Sequence, residues 1–293
     1  MNAPQTLSDA ISCLSDYDPN ALPVSQVREI VGRVIVPVEA IERVAIRSGL
    51  GRVLAQDLAS PIDVPSSDNS AMDGYAVRAA DLSSDGPTTL KLVGTALAGQ
   101  PFAGAVGPGE AVRVTTGAVM PTGLDTVVIQ EVATVDGDRL AVPGGQQRGQ
   151  HRRLRGEDLA RGKPALRAGK LLAPADLGLL ASLGFAEVAV RRRLRVAFFS
   201  TGDELRSVGE ALGPGEVYDS NRYTMYGMLT RLGVDVIDMG VIRDDPDALE
   251  RAVRTAAESA DAIVSSGGVS VGEADFTKQV MARLGDIAFW TIA

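Results

Sequence analysis

Cysteine, histidine and tryptophan each occur once in this 293-residue sequence. The single cysteine, Cys13, excludes an internal disulfide and any thiolate metal cluster. The single histidine, His151, excludes multi-histidine zinc sites and argues against a Ser-His-Asp triad. Aromatic residues make up 4% of the chain, so the core has to be mostly aliphatic. Long apolar runs are also missing: no stretch approaches about eighteen uncharged apolar residues, so no membrane-spanning helix is expected. The first residues carry Asp9 and Asp16 and lack a basic-then-apolar run, so no secretory leader is expected and a cytoplasmic location is the default reading. Positive charge is in deficit, with 29 Lys and Arg against 37 Asp and Glu, a formal charge of −8. That balance argues against a nucleic-acid or anionic-membrane binder. An anionic ligand has to find a local basic patch or a metal.

What remains is a soluble globular composition, 45% hydrophobic and 23% charged, with room for two or three domains. Residues 1–23 read as an N-terminal extension. From Ser25, a natural N-cap, Val27, Ile30, Val31 and Val34 mark one helix face. Ile41–Ile46 and Val53–Ala59 read as strands. Between residues 61 and 149 helical periodicity gives way to short Val/Thr-rich runs punctuated by Gly and Pro, and Asp136-Gly137 is a hairpin signal. This stretch reads as a small all-β domain inserted into a discontinuous first domain of residues 24–60 and 150–190. Residues 148–170 carry eight Lys/Arg against two acids, either as a solvated surface or as a phosphate-facing patch. A helix from Pro174 to about Leu183 ends at Gly184.

Residues 191–293 alternate. Strands are expected at Arg195–Ser200, Val234–Met239, Ala262–Ser265 and Ile287–Ile292. Helices are expected from Asp219 or Ser220 to Leu232, from Asp245 to about Ser259, and over residues 276–284. Such spacing means βαβ units and a parallel sheet, whose ligands sit beyond the carboxyl ends of the strands. There the sequence places Thr201-Gly202-Asp203-Glu204, then Arg243-Asp244-Asp245, then Gly267-Gly268 with Glu273 and Asp275. A glycine turn between strand and helix lets a ligand approach the main chain and turns backbone N–H groups toward an anion. Carboxylates beside such a cradle call for a hard cation, usually Mg²⁺. Helix capping is the competing account; it covers Asp245 and Asp275 more readily than Glu204, Asp244 and Glu273.

Four runs are more specific: Asp68-Asn69-Ser70-Ala71-Met72-Asp73-Gly74-Tyr75-Ala76-Val77, Phe199-Ser200-Thr201-Gly202-Asp203-Glu204-Leu205, Tyr218-Asp219-Ser220-Asn221-Arg222, and Ser265 to Lys278. In this order they resemble the molybdopterin molybdotransferase (molybdenum insertase) family of the MoeA type, related to the E domain of gephyrin, from about residue 24 onward. The resemblance implies a multi-domain α/β plus β fold: a parallel three-layer α/β, MogA-like molybdopterin-binding domain at 191–293 with the small all-β domain inserted before it. It implies Mg²⁺-dependent insertion of molybdate into adenylylated molybdopterin with release of AMP. It also implies a homodimer whose cleft is shared between the α/β domain and the partner's β domain, and contact with other proteins of cofactor synthesis.

Residue by residue, it makes Asp73, Thr116 (in Val114-Thr115-Thr116-Gly117-Ala118) and Glu204 catalytic. It makes Ser266, Gly267, Gly268, Ser270, Gly272, Lys278, Asp219 and Asn221 substrate-binding, and Glu204, Asp244, Glu273 and Asp275 the Mg²⁺ set. For Asp73 a purely turn-forming role stays open beside a catalytic one. Two departures stand out: Thr291 follows Phe289-Trp290 where the family often has lysine, and the sequence ends at Ala293, before the family's Pro-Gly-Lys-Pro-like segment and C-terminal β domain. A truncated α/β domain is therefore expected. A non-catalytic pterin-nucleotide-binding module and a molybdopterin adenylyltransferase remain alternative functions, the latter disfavoured by the Asp73 run.

Overall fold

A computed structural model describes residues 22–267, 276–288 and 291–292. They form two compact units, one of residues 43–190 and the other of the described residues up to 42 and from 191 on.

The chain opens with α1 (Val24–Val34), one residue earlier than the cap expected at Ser25. Pro23, extended at φ −62°, precedes it and makes no side-chain cap. Proline's fixed φ suits a helix entrance, so Ser25 becomes an ordinary first-turn residue. β1 (Ile41–Ala45) then leads into the unit of residues 43–190. This unit contains β2 (Leu58–Ala59), β3 (Asn69–Ser70), β4 (Gly74–Val77), β5 (Thr88–Ala96), β6 (Glu110–Val114), β7 (Thr126–Ile129), β8 (Thr134–Asp136), β9 (Arg139–Val142), β10 (Arg152–Arg153), β11 (Pro164–Leu166) and α2 (Pro174–Ser182). β12 (Glu187–Arg191) closes it and pairs with β1.

Six strands make one sheet in the order β7-β4-β6-β5-β9-β8, antiparallel except for β5 with β6. Alternation splits its apolar residues between two faces. Ala76, Val112 and Val127 join one buried cluster, while their neighbours Val77, Ala111 and Val128 join another. Gly74 allows the tight centre of this sheet, because a Cβ there would lie 2.1 Å from the Val128 carbonyl oxygen. A third cluster, with Leu54, Leu58, Leu166, Leu172 and Leu180, packs α2 onto the short pairs outside the sheet.

In the other unit β13 (Arg195–Thr201) is buried from Val196 to Thr201, as expected of a central parallel strand covered on both faces. β14 (Leu205–Arg206), β15 (Val217–Tyr218) and α3 (Ser220–Arg231) follow it. Next come β16 (Asp235–Ile242), α4 (Pro246–Ser259), β17 (Ala262–Ser266) and α5 (Phe276–Leu284). The sheet order is β16-β13-β17, all parallel. Phe198 and Phe199 point to opposite faces: Phe198 packs with Leu229 of α3, and Phe199 with Leu249 and Val253 of α4 and Val280 of α5. Three layers result.

β16 runs three residues past the expected end at Met239. The register shifts opposite Phe198/Ser200, and Gly240 at φ +80° absorbs the extra residue. Of the strand expected at Ile287–Ile292, Ile292 makes a single parallel bridge to Leu22, and Phe289 and Trp290 lie outside the described residues. No described helix is long and apolar enough to cross a membrane.

Candidate active site

The expected residues fall at two places, one in each unit. In the first, the Asn69–Gly74 turn is held from both sides. Ser70 N donates to Ala118 O at 2.9 Å and Gly117 N to Ser70 O at 2.8 Å. Across the other edge β10 pairs with β3, Arg152 opposite Ser70. The Asp73 carboxylate crosses 43 positions of sequence to Thr116, where Oδ1 accepts the backbone N–H at 2.6 Å and the hydroxyl at 2.8 Å. The Thr116 N–H, then its hydroxyl, hold the Asp73 carboxyl below its usual value. Two residues singled out in sequence thus meet directly. Asp73 also has a structural task that sequence did not reveal: it caps the Thr115–Gly117 turn.

The second place is the carboxyl edge of β13. A cavity of about 210 Å³ is lined by Thr201, Glu204, Asp219, Ser220, Asn221, Ser266 and Gly267, among others. Five expected residues, Glu204, Asp219, Asn221, Ser266 and Gly267, therefore share one wall. Gly267 sits at φ +101°, and a Cβ there would lie 2.5 Å from Thr201 O and 2.6 Å from Thr201 Oγ1. Only glycine lets the β17 edge close on β13 in this way. Asp219 caps α3, its Oδ1 accepting Arg222 N at 3.1 Å. Among the described residues three buried atoms at this edge have no hydrogen-bond partner: Ser200 Oγ, Thr201 Oγ1 and Asp219 Oδ2. Buried polar atoms ordinarily have partners, so Thr201 Oγ1 and Asp219 Oδ2, whose residues line the cavity, mark this edge as the candidate ligand site.

On the β16 side lies a second, polar cavity of about 770 Å³, lined by Asp203, Arg206, Arg222, Arg243, Asp244 and Asp245, with others. Arg222 pairs with Asp238 at 2.9 Å, and Arg206 with Glu216. Desolvation raises the Asp244 carboxyl above its ordinary value, and the nearby charges of Asp203 and Glu204 add to the rise. Asp203, Glu204 and Asp244 are thus near enough for their charges to act on one another. Asp245 caps α4 through Ala248 N at 2.8 Å, as expected. No described group of three or more acids is placed to hold a metal ion. Gly268, Ser270, Gly272, Glu273 and Asp275 lie outside the described residues. Lys278 is exposed on the first turn of α5.

The basic stretch 148–170 resolves toward its bland reading. Arg148, Arg152, Arg153, Arg155, Arg167 and Lys170 all pair with acids: Asp125, Asp68, Glu157 with Asp158, Asp63, Asp57 and Asp176. Sequence reasoning placed Thr201 at the ligand edge of the strand without giving it a role, and did not single out Ser200. Their signal was two hydroxyls closing an otherwise apolar strand.

Comparison with known proteins bears on both places. The family profile described as MoeA N-terminal region (domain I and II) matches residues 22–184, and that described as probable molybdopterin binding domain matches residues 197–293. A molybdopterin molybdenumtransferase of Haemophilus influenzae is 45% identical over 86% of this chain and 62% of its own length. One of Nostoc sp. is 40% identical over 80% of this chain and 55% of its own. The chain thus spans about three fifths of the curated relatives it matches. A crystal structure of the molybdopterin biosynthesis MoeA protein of Pyrococcus horikosii superposes with a TM-score of 0.81 at 34% identity, covering 94% of this chain and 69% of that one.

Proposed function

The chain belongs to the MoeA family, and from that premise we propose that it inserts molybdenum from molybdate into adenylylated molybdopterin with release of AMP. The observation that carries this reading is the carboxyl edge of β13, where Thr201 Oγ1 and Asp219 Oδ2 are buried, unpartnered among the described residues, and belong to residues lining one cavity. Ligands of parallel sheets bind at such an edge.

In this reading the pterin nucleotide lies along β13 and β17. The Gly267 turn brings main chain to its phosphate, and the N-terminus of α3, with Ser220 and Asn221, supplies N–H donors to the anion. Asp219 Oδ2 and the Thr201 hydroxyl take the polar edge of the ligand. Arg243 adds positive charge on the β16 side. Asp203 and Glu204 crowd Asp244 and push its proton affinity up, a charge excess that a hard cation held through water would relieve. Glu204 and Asp244 would hold the ion; the resemblance adds Glu273 and Asp275, which lie outside the described residues. When bound, Mg²⁺ neutralises charge developing on the leaving phosphate. Asp73, kept ionised by Thr116, orients the oxyanion or its attacking water. A homodimer is the assembly we infer from the family resemblance.

The test is AMP release from purified adenylylated molybdopterin by this chain, with Mg²⁺, with and without molybdate. Molybdate-dependent release that falls about a hundredfold or more in both Asp73→Asn and Asp244→Asn is expected. Tight binding without release would replace the reading by a non-catalytic binding module, and a requirement for ATP would replace it by adenylylation.

A further inference from the structure

Positive φ angles in the described residues belong to glycines, with one exception: His151, at +55°. A left-handed residue inside a turn is normally glycine or asparagine. Histidine is among the few other residues enriched there, at a conformational cost that the surroundings must offset. The surroundings are specific. Arg152 N donates to Gly149 O at 3.3 Å, which makes His151 the second central residue of a Gly149–Arg152 turn. Upstream, the chain is fastened to β7: Gly149 N donates to Thr126 Oγ1 at 3.0 Å, and Val127 N to Gln150 O at 3.0 Å. Downstream, Arg152 and Arg153 pair with Ser70 and Asn69. The left-handed residue is where the chain leaves β7 and turns onto β3.

The first rung after that turn comes from His151 itself. Its carbonyl accepts the N–H of Ala71 at 2.8 Å, and Ala71 is two residues before Asp73. The opposite side of the same turn is fastened by Ser70 to Gly117 and Ala118, and by Asp73 to Thr116. The Asp73 carboxylate is therefore set between two clamps. Thr116 touches it directly. His151 reaches it only through main chain, and its imidazole is exposed.

We propose that His151 is a positioning residue for Asp73: its left-handed backbone, rather than its imidazole, fixes the Ala71 rung and so places the Asp73 carboxylate against Thr116. The importance of this rests on the reading of Asp73 as a functional group; the coupling does not, and can be measured without turnover.

The experiment is NMR on the full chain, following the Asp73 carboxyl titration and the exchange of the Ala71 and Thr116 amides. The variants are His151→Gly, His151→Asn, His151→Ala and His151→Val. Glycine and asparagine tolerate the left-handed conformation, and a β-branched residue resists it most. Asp73 is expected to titrate as in the wild type in the Gly and Asn variants. In the Val variant it should rise toward the ordinary carboxylate range, with Thr116 amide exchange about tenfold faster and the Ala variant in between. Asp261, in the other unit and held at about 2, should not move, which separates a local shift from general unfolding. An unchanged Asp73 in the Val variant overturns the proposal. So does a Gly variant that shifts Asp73 as far as Val does, since that outcome assigns the role to the imidazole. If the Val variant does not fold, Ala against Gly decides by the same criterion. In the AMP-release assay the loss should appear in kcat rather than KM, with Asn restoring what Val loses. Coupling intact but Asp73→Asn fully active would remove the functional reading and leave the positioning standing.

Discussion

The Asp73 turn and the carboxyl edge of β13 use the same materials, hydroxyls and carboxylates on glycine-bearing turns, to opposite effect. Around Asp73 the polar groups are spent on one another: Thr116 gives both its donors to one carboxylate oxygen, and Ser70 Oγ donates to Met72 O at 2.5 Å. At β13 the buried oxygens of Ser200, Thr201 and Asp219 stay unspent among the described residues, and Asp244 carries the charge of Asp203 and Glu204 without relief. A saturated site holds a group still before a ligand arrives. An unsaturated one is completed by the ligand. Binding free energy should therefore appear at the edge of β13 and not at the Asp73 turn.

The largest effect is expected at Gly267. An alanine Cβ would meet Thr201 O at 2.5 Å at a φ of +101°, and backbone cannot step aside as a flexible side chain can. Gly267→Ala should cost about 2 kcal/mol or more in denaturant unfolding and should abolish ligand binding at this edge. Gly137, at φ +62° with nothing within 4 Å of its would-be Cβ, is the control: alanine there meets only the left-handed penalty, about 1 kcal/mol. Equal losses at both positions would mean that the approach of β17 to β13 is not tight, and the built edge would lose its support.

An intermediate effect is expected from Asp261, which directly precedes β17 at the end away from the ligand edge and is a saturated acid within the unsaturated unit. Arg192 pairs with it through two bonds of 2.9 Å, and Arg195 N donates to it at 2.7 Å. The Arg192 side chain first, and then the Arg195 N–H, lower its carboxyl from 3.8 to about 2. A depressed acid stabilises the fold above its unfolded value and loses that contribution as pH falls through the window from 3.8 to about 2. Asp261→Asn should therefore cost about 1 kcal/mol near neutrality, less than the full linkage value because solvent reaches the pair, and almost nothing at pH 2. A loss independent of pH would assign the effect to packing instead.

The α/β unit was largely legible because its signals are local. Each apolar run and each helix cap is read from a few neighbouring residues, and their alternation gives the parallel sheet. Its errors were local as well: Gly240 read as the end of a strand, but a register shift carries β16 on to pair Val241 and Ile242 with Ser200 and Thr201. The Asp73 site was visible only as a motif. What holds it, Thr116 at 43 positions and His151 far beyond, depends on contacts that no periodicity encodes. The basic stretch stayed open between two readings for the same reason, since its partners Asp57, Asp63, Asp68 and Asp125 lie far away in sequence. Ser200 went unread, and Thr201 was placed at the edge without a role, because a hydroxyl ending a strand looks the same whether or not it finds a partner.

The smallest effect discriminates most sharply, because the two sites should respond to the same substitution with opposite signs. Thr116→Val deletes a hydroxyl that donates to Asp73 at 2.8 Å. The backbone donor remains, so the fold survives, but the melting temperature should fall slightly and Asp73 should titrate closer to its ordinary value. Thr201→Val deletes a hydroxyl oxygen that is buried without a partner among the described residues. Valine has nearly the same shape, and removing an unsatisfied buried polar atom should leave stability unchanged or raise it by about 0.5 kcal/mol. Its cost should appear only with the ligand, as a roughly tenfold loss of affinity for adenylylated molybdopterin from one missing hydrogen bond. Thermal melts of both variants, with and without the nucleotide, read all four quantities. Should Thr201→Val melt lower than the wild type without ligand, its hydroxyl already has a partner, and the edge of β13 is then as saturated as the Asp73 turn.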